Sequence, residues 1–378
     1  MSFSGVSNPA YTASRLGQDN FTGDVRGLFL QLFAGEVLTA YQKALILEPL
    51  VRKRTINHGR SASFPMIGRT TAEYLTPGNE ITGGSIRHGQ RIIELDDLLI
   101  SSVFIPEIDE AINHYDVRAT YSKECGLALA RETEKNIARM IIKAALTKDS
   151  TAAAALVQKW TDFAEEDFVA NVAIGDVAGD ELDPSAIAYS ILMSLKVWAS
   201  KGVDPVGAVV VLPPAQYYAL LDVRDASKLT YMNSLYGGTP NANGTSVPLI
   251  HGLKVLCSQY FDQSTLWNLT GSTVTTNPVT GATGSWANGV TYDNKPLANT
   301  AGSGRSLVYD IPTAYVSAAS AVKGCIFTKD AVAGVNLMSV SVESERQMIR
   351  QGTLIVAKKA EGYNILRPAS AIALTANT

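Results

Sequence analysis

Phe33-Ala34-Gly35-Glu36-Val37-Leu38-Thr39-Ala40-Tyr41 leads into Ser61-Ala62-Ser63-Phe64-Pro65-Met66-Ile67-Gly68-Arg69-Thr70 and then Ala72-Glu73-Tyr74-Leu75-Thr76-Pro77-Gly78. The run holds no catalytic constellation. Leu28, Leu32 and Gly35, with Phe29, Phe33 and Val37, recur at helical spacing and predict a short amphipathic helix over 28–38. That helix reads either as plain core packing or as an arm segment docked on a neighbouring molecule. Residues 1–27 before it are rich in Ser, Gly, Asn and Thr, an arm with little core of its own. Ser61 to Ile67 and Arg91 to Ile105 are β-compatible, with Thr76-Pro77-Gly78-Asn79 between them. Pro at the second and Gly at the third position of a turn suit type II geometry. The result is a long hairpin with few apolar side chains from Thr76 to Gln90. A two-stranded ribbon of that kind is marginal alone and needs a partner surface.

Outward from this block, the strongest helical pattern follows at once. Pro106 suits a first turn, Glu107, Asp109 and Glu110 complement the N-terminal dipole, and Lys143 and Lys148 sit at the other end. Ile108, Ile112, Tyr115, Ala119, Leu129, Ile137, Met140, Ile141 and Ala144 recur at three- and four-residue steps, predicting a helix over 107–147 that would run roughly 60 Å. Gly126 in its middle marks a close crossing or a bend. Residues 150–182 are alanine-rich and then acidic. Asp183-Pro184 caps a helix over 185–200 closed by Gly202. Val206 to Leu212 reads as a buried strand, Pro213-Pro214 as the start of a helix to Leu221, and Val247 to Ser258 as a further strand. Gly, Thr, Asn and Ser dominate 268–304, a long surface insertion. The late segments 351–365 and 369–374 are expected to return and pair with the sub-domain of the long helix. No internal repeat appears at solenoid or propeller periods.

Composition narrows the classes. The 378 residues suffice for two or more sub-domains, and 46% apolar with 18% charged residues fits a globular chain. The net charge of −3 divides into +3 over 1–60, −3 over 61–150, −5 over 151–260 and +2 over 261–378. This is not the clustered basicity of a dedicated nucleic-acid binder. A modestly basic arm on an acidic body fits contact with acidic neighbours, and a solvated charge distribution explains it equally well. Cys125, Cys257 and Cys325 are odd in number and far apart, which argues against a disulfide framework or a metal site and suits a reduced cytoplasmic setting. The N-terminus lacks signal-peptide character, and no apolar run is long enough to span a bilayer.

Candidate chemistry is thin. His114 and Asp116 lie near Arg118 at a helix start, where a hydrogen-bonding role fits better than acid–base work. His58, His88 and His251 are isolated, and no HExxH pattern exists. Gly237-Gly238-Thr239-Pro240 and Gly244-Thr245-Ser246 have no lysine in P-loop register. Glu165, Glu166 and Asp167 lack cation-loop spacing. We expect no catalytic, cofactor-binding or metal residues, and no enzyme activity.

The opening block resembles the GEVLTA…SAxFPxxGRT…AxYLxPG run of major capsid proteins of short-tailed, T-seven-like phages, of the podovirus or autographivirus type, cyanophages among them. Ala111-Ile112-Asn113-His114-Tyr115-Asp116-Val117-Arg118 is similar to the family's AMNHYDVR stretch, and Leu366-Arg367-Pro368-Ala369 to its LRPEA. The likeness covers 28–130 and, more faintly, 340–375. It implies an α+β fold of the HK-97-like phage capsid type with N-terminal arm, extended β-hairpin loop, long spine helix domain and inserted axial α/β domain. The boundaries expected are arm 1–58, hairpin loop 59–105, peripheral domain 106–182, axial domain 183–340 with the insertion 268–304, and a peripheral return over 341–378.

The resemblance further implies hexamers and pentamers that close into an icosahedral head around double-stranded DNA. Its partners would be a separate scaffolding protein, since the short arm leaves no room for a fused one, and a portal or connector protein. No membrane is involved. As assembly-interface candidates we take Arg52, Lys53, Arg54, Arg69, Glu73, Tyr74, Arg87, Arg91, Glu107 and Arg118, because charges of both signs on an arm and hairpin set register and partner choice. No lysine occurs between Lys53 and Lys123, so a hairpin lysine cannot weld subunits through an isopeptide bond. Two rivals stand beside this reading. One is an encapsulin-type cellular compartment shell, and the other is a soluble enzyme with an α/β catalytic domain at 183–260.

Overall fold

A computed structural model describes residues 45–67, 88–96, 98–107, 118–149, 168–177, 179–221, 249–261 and 315–377, strands within 273–296, and single positions between 37 and 86. The chain divides into two compact units, and the boundary falls within a helix and two strands. One unit comprises Met1–Pro49, Asp96–Lys135 and Asn336–Glu361; the other comprises Leu50–Leu95, Asn136–Val335 and Gly362–Thr378. Each is described by itself.

In chain order the strands are β1 (Arg52–Thr55), β2 (Ser61–Ile67), β3 (His88–Glu94), β4 (Leu99–Pro106), β5 (Val172–Ile174), β6 (Val209–Leu212), β7 (Leu249–Ile250), β8 (Leu253–Cys257), β9 (Thr273–Thr276), β10 (Thr283–Ala287), β11 (Thr291–Tyr292), β12 (Lys295–Pro296), β13 (Val322–Phe327), β14 (Val332–Gln347), β15 (Gly352–Ile365) and β16 (Ala371–Ala376). The α-helices are α1 (Arg118–Leu146), α2 (Pro184–Lys201), α3 (Pro214–Leu221) and α4 (Val316–Ser320).

In the first unit, β4 and β15 run antiparallel in unbroken register from Gly352 opposite Pro106 to Lys359 opposite Leu99. β14 lies on the other side of β15 and joins it through the 3-10 turn Met348–Arg350. Strand alternation sends Ile355 and Ala357 inward, where they meet Ile105 and the start of α1 through Cys125, Leu129 and Ala130. Spacing of four residues puts Cys125 and Leu129 on one helix face. Val37 and Tyr41, from the opening block, complete this core. α1 spans 29 residues, about 44 Å. The expected helix was longer, and its stretch 108–117 lies outside the described residues.

The second unit is built on a six-stranded sheet in the order β5-β16-β13-β6-β8-β7. β13 pairs antiparallel with both β16 and β6, β6 runs parallel to β8, and β16 parallel to β5. Val209–Leu212 is a continuous buried apolar run, as a central strand requires. It starts three residues later than expected because Asp204 first makes a turn, its Oδ1 accepting the Val206 N–H at 3.0 Å. α2 matches its local signals. Asp183 Oδ1 accepts the Ser185 N–H at 3.0 Å, Pro184 stands at the first helical position, and Gly202 closes the helix at φ 66°. Ile187, Ile191 and Trp198 pack from α2 onto Val210, Leu212, Ile326 and Ile372. Trp198 Nε1 donates to the Ala369 carbonyl at 2.9 Å, so the buried indole leaves no donor unmet.

Several details differ from the sequence reading. The run Arg91 to Ile105 divides into β3 and β4, which join different sheets, and Val247 to Ser258 divides into β7 and β8, which pair antiparallel. Residues 352–365 do pair with β4, beside α1, but 371–376 join β13 and β5 in the six-stranded sheet. The physical reason is that Ala371–Leu374 is buried on both faces, which only a central strand position satisfies. The insertion differs as well: it contains short antiparallel pairs, β9 with β10 and β11 with β12, where composition suggested only loop.

Candidate functional site

The hairpin is the element whose geometry speaks most directly to function. β2 and β3 pair from Ser61 opposite Glu94 to Ile67 opposite His88, and Leu95 N–H closes the base on the Arg60 carbonyl at 2.7 Å. Alternation divides the ribbon into two faces. Ala62, Phe64, Arg91 and Ile93 form a buried face at the root. Ser63, Ile67, Gln90 and Ile92 lie on the other, with Ile67 63% and Ile92 48% exposed. Ser63 Oγ donates to Gln90 Oε1 at 3.0 Å across that outer face. Pro65 is tolerated because the ribbon has two unpaired edges. Gly78, in the expected type II turn, has φ 96°, the sign that turn demands of its third residue. The outward face of the ribbon thus carries two exposed isoleucines.

The candidate residues fall into several settings. Arg52, Lys53 and Arg54 line β1 and are exposed. Arg52 Nη1 lies 3.2 Å from Asp330 Oδ1, and Arg54 Nη1 donates to the Ser63 carbonyl at 2.8 Å. Tyr74 is fully exposed. Glu107 is exposed and pairs with Arg346 at 2.7 Å. Arg91 is different: it is 5% exposed, on the root face, and its Nε donates to the Ile365 carbonyl at 3.3 Å. Burial pushes its guanidinium pKa down to about 10. Arg91 thus anchors the hairpin root, a structural place that strand alternation assigns it opposite Phe64. Arg118 starts α1. Arg69, Glu73 and Arg87 lie outside the described residues, as do His114, Asp116, Glu165, Glu166, Asp167 and the glycine-rich stretches at 237–246.

Sequence reasoning passed over Ile67, Ile92, Met348 and Ile349. The last two stand 75% and 99% exposed at the tip of the turn joining β14 and β15. The signal for Ile92 was present, since adjacent isoleucines at 92 and 93 in a strand cannot both face one core. Among the described residues no three His, Cys, Asp or Glu side chains are grouped to hold a metal ion, and no helix is long and apolar enough to cross a membrane.

A family model described as Gp10A-like major capsid protein matches residues 63–261 and 286–375, from the hairpin through both units. The chain belongs to this family. The major capsid protein of Enterobacteria phage T3 is 43% identical over 116 residues, 30% of this chain and 33% of the T3 protein. That of Escherichia phage T7 is 43% identical over 110 residues, 29% of this chain and 32% of the T7 protein. The matched part thus spans about a third of the length of these relatives. The capsid structure of the cyanophage P-SCSP1u is similar along nearly the whole length, with TM-score 0.63, 29% identity, and 98% of this chain and 99% of that chain covered. The architecture is the HK-97-like capsid fold, of class α+β.

Proposed function

We propose that this chain is the major capsid protein of a short-tailed phage, one that self-assembles as hexamers and pentamers into an icosahedral head enclosing double-stranded DNA. The observation that carries the reading is the end-to-end likeness to a cyanophage capsid subunit at 29% identity. The hairpin supports it: an exposed ribbon with outward Ile67 and Ile92 gains little alone and much against a neighbouring copy. The arm 1–58 would tie adjacent subunits, and the hairpin loop 59–105 would lie over a neighbour. The peripheral segments 106–182 and 341–378 would form the lattice floor, and the axial segment 183–340 would cluster at the capsomer centre. Arg52, Lys53, Arg54, Arg69, Glu73, Tyr74, Arg87, Glu107 and Arg118 would set register between copies. The partners would be a separate scaffolding protein, a portal protein, and DNA held by proximity without sequence reading. Assembly would take place in the host bacterial cytoplasm.

The test is negative-stain electron microscopy with light scattering, on the purified chain with and without a candidate scaffolding protein. Closed shells, or rings of five and six, are expected. Uniformly small particles loaded with protein would transfer the chain to the compartment-shell reading. A concentration-independent monomer under both conditions would overturn both.

A further inference from the structure

The unit that contains β4 and β15 encloses a polar cluster. On β15 the inward face occupied by Ile355 and Ala357 continues, by alternation, to Lys359 and Glu361, whose side chains are only 3% and 9% exposed. On α1 the face of Leu129 and Ala130 continues one turn later to Thr133 and Glu134, both fully buried. Tyr41 and Glu48 arrive from the chain ahead of β1, also buried.

The backbone of Glu48 is fixed first. Glu134 Oε1 accepts the N–H groups of Ile46, Leu47 and Glu48 at 3.0, 2.9 and 3.1 Å, as an ionised carboxylate does at the start of a turn. The Glu48 side chain then meets a different group at each oxygen. Lys359 Nζ lies 3.2 Å from Oε1, and the Tyr41 hydroxyl donates to Oε2 at 2.9 Å. Lys359 Nζ also lies 2.5 Å from Glu361 Oε2 and donates to the Tyr41 hydroxyl. Glu361 is oriented in its turn, because Thr133 Oγ1 donates to its Oε1 at 2.6 Å.

A plain ion pair would match one ammonium with one carboxylate. Here one amine touches two carboxyl groups, and the second oxygen of each is bonded by a hydroxyl. The parts needed for acyl transfer to an amine are all in contact. Lys359 is the nucleophile and Glu48 the acyl group, Tyr41 donates to the oxygen on which charge would gather, and Glu361 is a base held by Thr133. Burial keeps water, the competing nucleophile, away.

We propose that Lys359 and Glu48 join in an isopeptide bond within one chain, formed once after folding without any further reactant. A proton passes from the Lys359 ammonium to Glu48 Oε1, leaving an amine beside a carboxylic acid. The lone pair on Nζ attacks Glu48 Cδ while Glu361 Oε2 takes a second proton from Nζ. Negative charge gathers on Glu48 Oε2, where the Tyr41 hydroxyl already donates. Glu361 then returns its proton to Oε1, the Cδ–Oε1 bond breaks, and Oε1 leaves as water. Nζ keeps one hydrogen as the amide N–H, Glu361 ends as it began, and nothing is oxidised or reduced. The bond ties Glu48 to a strand 311 residues further along the same chain. It is independent of the hairpin and of whether copies assemble.

Mass spectrometry of the full-length chain, folded and then denatured, tests this. Wild type should weigh about 18 Da, one water, less than its sequence requires, and Lys359→Met should show its full sequence mass. A tryptic digest of wild type should contain a branched peptide joining the stretch with Glu48 to the stretch with Lys359, uncut after Lys359. Glu48→Gln should reach the same product by releasing ammonia, a loss of about 17 Da. Glu361→Gln keeps the shape without the base, and in a time course from refolding it should lose water about a hundredfold more slowly. Full sequence mass in wild type after prolonged incubation overturns the proposal even if no variant folds. So does a loss that maps to other residues, or one that persists in Lys359→Met. An undiminished rate in Glu361→Gln overturns the step as written.

Discussion

Gly352 opens β15 opposite Pro106, where a carbonyl and an aromatic ring leave no room for a side chain. A Cβ built on it would lie 2.5 Å from the Ile105 carbonyl oxygen and 2.5 Å from the Phe104 ring. The ring could swing aside; the carbonyl is fixed in the β4–β15 ladder. Gly352→Ala should therefore lower stability by roughly 1–3 kcal/mol, seen as a lower urea midpoint at unchanged slope. An unaltered midpoint would mean the ladder end yields freely. The charged pairs on the surface are a different matter. Arg52 and Asp330 are both more than half exposed, 58% and 51%, and an ion pair so wet contributes little. The residue-scale chemistry that counts is inside. Tyr41, Glu48, Glu134 and Lys359 were illegible in the sequence, because contacts separated by 86 to 318 residues leave no local pattern. The one hint was Lys359 and Glu361 continuing the inward alternation of Ile355 and Ala357.

Elements differ in how far the chain announces them. α2 was readable to within a residue because Asp183, Pro184 and Gly202 act locally on backbone groups. The β2–β3 ribbon was readable only in part: the Thr76-Pro77-Gly78-Asn79 turn and Ser61 to Ile67 pointed to it, but the run Arg91 to Ile105, read as one arm, splits into β3, which pairs with β2, and β4, which pairs with β15. Sheet order was not readable, because β16 chooses β13 and β5 by burial on both faces, a property of the assembled sheet. The same distinction governs what the hairpin's residues do. Ile67 and Ile92 share the outward face and are about half exposed or more, so Ile67→Asp with Ile92→Asp removes little packing within the chain. Thermal unfolding should stay within about 0.5 kcal/mol of wild type. Shell yield by electron microscopy and light scattering should drop sharply, since buried carboxylates at every repeated contact accumulate their cost. Full assembly of the double variant would show that no neighbour covers this face.

At the scale of the whole molecule, a shell of repeated contacts can be made permanent by covalent bonds or by closure alone. The hairpin offers no lysine, none occurring between Lys53 and Lys123. Thiols offer no alternative. Cys125 and Cys325 are buried, Cys257 is half-buried, and burial pushes all three thiols upward, away from the reactive thiolate. On the function proposed above, closure is expected to hold the shell: a subunit in a closed lattice cannot leave without breaking several contacts at once. Purified particles, denatured in SDS without reductant, should accordingly run as a single band at monomer mass. A ladder of dimers and higher multiples would overturn this and require a cross-link from lysines outside the hairpin, such as the exposed Lys53 on β1.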